Sequence, residues 1–147
     1  MNSDDFTNAT TLRIGAETYA FRPHPTLTPS LGEVYALVGG EATIYQLRQV
    51  GSGALFALKI PRPVYCTARA VTVTQALARL IAIPGFAAAR RRCLTRASDP
   101  LLIAQWSALE YATLAPWIAG RSWADLLLDR AASETYTREQ ALTLART

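Results

Sequence analysis

Residues 39–60 read GGEATIYQLRQVGSGALFALKI, and their order decides the fold. Two runs rich in Thr, Ile, Tyr, Val and Phe flank Gly51-Ser52-Gly53, which is the composition of two strands joined by a hairpin turn. Gly39-Gly40 opens the first run, and the EVYALV segment at 33–38 before it is β-rich as well. The pattern is strand, Gly-Gly, strand, Gly-Ser-Gly, strand. Lys59 stands near the end of the third strand.

Upstream, TLRIGAETYAF at 11–21 alternates apolar and polar residues around a Gly-Ala turn and predicts a short hairpin. FRPHPTLTPS predicts an extended connector. Downstream, Pro61 and Pro63 end the third strand. Helical spacing then runs from Ala68 to Ile83, with Val73, Leu77, Leu80 and Ile81 on one apolar face, and Pro84-Gly85 stops it. ARRRCLTR predicts a fourth strand, DPLLIAQW has no clear pattern, and ALEYATLAPWI predicts a fifth strand ended by Pro116 and Gly120. Ser122, and Thr137 with Gln140, are capping signals for two further helices. The fold class expected is α+β: a twisted antiparallel sheet of about five strands with one packed helix, then a helical C-terminal tail. The segments expected are an N-terminal tail and hairpin over 1–30, a sheet domain over 31–118, and a helical start over 119–147.

Half of the 147 residues are hydrophobic and 18% are charged, which is ordinary for a globular domain. No apolar run is long enough for a membrane span, and the polar, acidic start MNSDDFTNATT is unlike a signal peptide, so a cytoplasmic protein is expected. Cys66 and Cys93 lack metal-ligand spacing and read as free thiols, and the single histidine, His24, cannot build a zinc site. The net charge is +4, and fourteen of the fifteen basic residues are arginines. Lys59 is the one lysine, a compact ammonium where arginine is the habit of the chain. The cluster Arg90-Arg91-Arg92 with Arg96 raises a nucleic-acid reading, but no aromatic ladder or recognition helix accompanies it. Nucleic acid is therefore not the expected partner.

A glycine-rich turn between strands lets backbone amides approach phosphates without a Cβ in the way. A lysine on the next strand can reach back to bridge two phosphates, while Ile44 and Ala57 cover an adenine ring. A Gly-Gly turn by itself is more often the mark of a plain hairpin. The joint order and spacing resemble the small lobe of the protein kinase superfamily, with its G-x-G-x-x-G-x-V turn and V-A-I-K strand. Leu37 stands for the first glycine of that turn, Gly39 for the second, Ala42 for the third and Ile44 for the valine. LAPWIAGRSWADLL resembles the kinase hinge and the helix after it, in a bacterial kinase-like group whose hinge reads M-P-W-I-x-G-x-T-W.

The resemblance implies that ATP binds with Lys59 on its phosphates, Gly39 and Gly40 shaping the loop, and Ile44, Ala57 and Ala115 lining the adenine pocket. It implies that the Pro116 carbonyl and the Ile118 amide hold the base, with Ala115 at the gatekeeper position. The helix glutamate that pairs with the kinase lysine is missing; Gln75 is the nearest stand-in. No H-R-D-like loop or D-F-G-like triplet occurs in these residues, so no catalytic or metal residue is assigned. A kinase lobe truncated before its catalytic loop is expected, inactive alone, with Mg2+ joining ATP only when a second lobe completes the cleft. A second lobe or another protein is the expected partner at the hinge side. A noncatalytic, pseudokinase-like interaction module is the alternative.

Overall fold

The computed structural model describes residues 11–23, 34–86 and 89–120. Seven antiparallel strands make one sheet: β1 (Thr11–Ile14), β2 (Glu17–Phe21), β3 (Ala36–Val38), β4 (Ala42–Gln49), β5 (Leu55–Pro61), β6 (Arg92–Cys93) and β7 (Thr113–Pro116). Among the described residues two α-helices, α1 (Arg69–Ala78) and α2 (Pro100–Gln105), and two single 3-10 turns accompany the sheet, an α+β arrangement. The capping signals at Ser122 and Thr137 lie outside the described residues.

The strand order is β1-β2-β4-β5-β7-β6, with β3 also on β4. β2 and β3 share one edge of β4: Phe21 pairs with Leu47, and Val38 pairs with Thr43. A bridge from Pro23 to Val34 joins the two stretches. The hairpin at 11–21 therefore extends the sheet, which has seven strands where about five were expected. Its turn is two residues long, and Gly15 has a φ of 63°, the conformation a type II′ turn needs at its first position. In the longer β4–β5 turn Gly53 has a φ of 74°, and its amide donates to the Gln49 carbonyl at 2.8 Å.

Side chains alternate across a strand, and here parity separates core from cleft. Tyr45, Leu47, Leu58, Ile60 and Leu114 are buried on one face with Leu12, Ile14 and Tyr19 of the added hairpin. Edge-to-face rings brace this layer, Tyr19 on Phe56 at 5.3 Å and Phe21 on Tyr45 at 5.8 Å. Ile44, Ala57, Lys59, Thr113 and Ala115 have the opposite parity.

The helix that covers the core is α2, in the segment without a clear pattern. Its six residues are too few for a helical period to show, yet Leu102 and Ile103 are both buried. Pro100 occupies its first turn, where no amide hydrogen is needed. α1, the helix expected to pack, ends at Ala78 and contains no buried residue. Val73 and Ile81 of its expected apolar face are each 40% exposed. No helix among the described residues is long and apolar enough to cross a membrane.

Candidate functional site

The sheet face away from the core opens onto a cleft of about 1190 Å³. That volume is above the ~300–1,000 Å³ usual for small-molecule sites. The floor is set by register. Leu37, Ile44, Lys59 and Thr113 stand side by side across four strands. Ala57 pairs with Ala115 in the next row of this face, and Pro116 follows at the end of β7, level with Phe56, whose ring lies on the core side. Two facing alanines leave a shallow, flat trough. Lys59 and the Pro116 level are three residues apart along the strand, or ~10 Å.

The chain leaves β7 at one mouth of the cleft. The Trp117 amide donates to the Leu55 carbonyl at 2.9 Å, and its ring meets Tyr35 edge to face at 5.9 Å. These contacts fix the backbone from Pro116 to Ile118. Pro116 offers a carbonyl and no donor. The Ile118 amide has no backbone partner among the described residues.

The rest of the lining is more polar. Thr67 before α1, and Arg69, Ala70, Val73 and Thr74 on it, line the cleft together with Glu41, Arg91 and Tyr111. Among the described residues, Glu41 is thus the one carboxylate beside three cationic side chains, Lys59, Arg69 and Arg91. Neither Lys59, Arg69 nor Glu41 takes part in an ion pair among the described residues. Tyr111 has a φ of 64°, rare for a bulky residue, and its amide donates to the Leu94 carbonyl at 2.8 Å. Such backbone strain gathers at functional sites.

Six of the eight residues singled out in the sequence line this cleft: Lys59, Ile44, Ala57, Ala115, Pro116 and Ile118. Gly39 and Gly40 do not. Neither has a positive φ, and a Cβ on Gly40 would meet nothing within 4 Å. Their turn is closed instead by the Gly39 amide, which donates to the Ala42 carbonyl at 2.9 Å. Gln75 is exposed and does not line the cleft, because the helical period turns it away from Ala70, Val73 and Thr74. Glu41, Arg69 and Tyr111 were not assigned to the site from the sequence, and Arg91 was read there only as part of the arginine cluster. Only Glu41, inside the glycine turn itself, carried a local signal.

The arginine cluster separates in space. Arg91 lines the cleft, Arg92 pairs with the buried Asp99, and Arg96 pairs with Glu110 at 3.2 Å. Both cysteines are free and half-buried. The Cys66 thiol donates to the Glu110 carbonyl at 3.2 Å. Burial pushes the Cys66 thiol above its ordinary pKa, helped by Glu110, and burial pushes Cys93 up too, helped by Cys66.

Among the described residues no three His, Cys, Asp or Glu side chains gather as metal ligands. Comparison with models of known families, with curated proteins and with solved structures returned no match.

Proposed function

We propose that the cleft binds the base and phosphates of ATP, in the manner of a protein kinase small lobe. The observation that carries this reading is the register of β5 against β4 and β7. It puts the lone lysine beside Ile44 and the Ala57–Ala115 pair one row further along the same face. The flat alanine trough suits an aromatic base. Lys59, ~10 Å along the strand from Pro116, suits the phosphates. At the mouth, the Pro116 carbonyl and the Ile118 amide would serve as acceptor and donor for the base.

The proposed role of these residues is binding. Phosphoryl transfer also needs a base that accepts the substrate proton and charges that stabilise the transferred group. Neither an H-R-D-like loop nor a D-F-G-like triplet occurs in this sequence, so those parts would come from a second lobe.

Titration calorimetry with ATP tests the reading. Binding that disappears in Lys59→Met, with the fold intact, is the expected result. Equal signals from wild type and Lys59→Met would remove it.

One observation favours the second reading, a noncatalytic interaction module. Val73, Ile81, Ile83 and Phe86 are exposed along and after α1, which itself has no buried residue. Exposed apolar surface of this kind marks partner sites. A monodisperse monomer that binds no hydrophobic dye would count against it.

A further inference from the structure

We infer that Arg69 is a second phosphate-binding residue of the cleft, so that this end of the site takes a polyphosphate chain rather than a single phosphate. The inference rests on the nucleotide reading for the identity of the ligand, but its own ground is the charge of the cleft wall.

In the kinase small lobe that the sequence resembles, a lysine on the sheet faces a carboxylate on the helix. In this cleft the helix side carries the opposite sign. Arg69 is the first residue of α1 and lines the cleft with Ala70, Val73 and Thr74, one helical face. Lys59 lines it from β5, and Arg91 from the segment before β6. The only carboxylate on the wall, among the described residues, is Glu41. Lys59 and Arg69 are both exposed, and neither is held in an ion pair among the described residues.

Two cations lining one cleft repel each other when it is empty. An anion between them removes that repulsion and gains charge-assisted hydrogen bonds from both sides. The planar guanidinium can hold two oxygens of one phosphate, while the ammonium acts as a point charge. A triphosphate carries charge for both cations, and a neutral nucleoside carries none.

The experiment is titration calorimetry of the purified chain with three probes: ATP, adenosine and inorganic tripolyphosphate. The variants are Arg69→Gln, which keeps most of the stem, and Arg79→Gln, an exposed position at the end of the same helix that does not line the cleft. Arg69→Gln is expected to weaken ATP and tripolyphosphate about tenfold and to leave adenosine unchanged. Arg79→Gln is expected to change none of the three.

Unchanged ATP and tripolyphosphate affinity in Arg69→Gln, with ATP still weakened by Lys59→Met, would overturn the inference and leave the nucleotide reading standing. Equal weakening by Arg79→Gln would overturn it too, because the effect would then be that of general surface charge. Tripolyphosphate binding that depends on Arg69, without any advantage for ATP, would support the inference and remove the nucleotide. Failure of all three probes to bind would overturn both.

Discussion

The guanidinium of Arg92 lies against the backbone of Gly15: a Cβ on Gly15 would stand 2.7 Å from its Nη1. Gly15 follows β1 and Arg92 belongs to β6, the two outermost strands of the sheet. The sheet is therefore curled until its two ends meet. Arg92 is held there by Asp99, whose side chain is 2% exposed and also accepts from the Ser98 hydroxyl at 2.7 Å. Edge meets edge only because position 15 has no side chain and position 92 has a charge anchored from below.

Removing the arginine leaves a buried carboxylate without its cation. Arg92→Ala is expected to destabilise the fold by about 3 kcal/mol, the low end for a broken buried pair because Arg92 itself is half-exposed. Gly15→Ala is expected to cost about 1–2 kcal/mol, from the positive φ and from the collision with the guanidinium. Chemical denaturation followed by circular dichroism measures both.

β5 provides a test of parity. Leu58 is fully buried, whereas its neighbour Lys59 is exposed on the cleft face. Leu58→Ala is expected to lose about 2–5 kcal/mol of stability. Lys59→Met is expected to leave stability within about 0.5 kcal/mol and abolish the ATP signal. Reversed outcomes would place the core on the other face.

The alanine trough provides a test by filling. Ala57 and Ala115 face each other across β5 and β7. Ala115→Phe puts a ring into the space where the proposed base lies. The substitution is expected to weaken ATP more than tenfold while tripolyphosphate affinity stays unchanged, since Lys59 and Arg69 are untouched.

The thiols give a pH dependence. Burial raises the pKa of Cys66 and Cys93 in the fold above the ordinary thiol value of about 8.5. In that window the folded protein holds protons that the unfolded chain has released. The resulting stabilisation is present below pH ~8.5 and is lost as pH rises through the folded values. The melting temperature is expected to fall as pH rises through the folded values, and less steeply in Cys66→Ala/Cys93→Ala. Alkylation of both thiols at mildly alkaline pH is expected to be slower than that of free cysteine.

Much of the strand pattern was legible in the chain. Alternation in residues 42–60, interrupted by Gly51-Ser52-Gly53, is a local property and leads directly to β4, β5 and their turn. The hairpin at 11–21 announced itself in the same way. α2 did not, because a six-residue helix contains too little periodicity to be told from a strand. α1 was over-read for the opposite reason: a helical spacing of Val73, Leu77, Leu80 and Ile81 says that an apolar face exists, not that anything covers it.

By itself the sequence determined the local elements around the site and the uniqueness of Lys59, since strand alternation, turn chemistry and residue identity act over a few neighbouring positions. Only the tertiary structure decided that Arg69 and Glu41 share a cleft with that lysine, that Gly39 and Gly40 stand outside its lining, and that Arg92 closes the sheet on Gly15. Those relationships join residues far apart in the chain. They arise from the curl of the sheet and the packing of its buried face, which no short stretch of sequence contains.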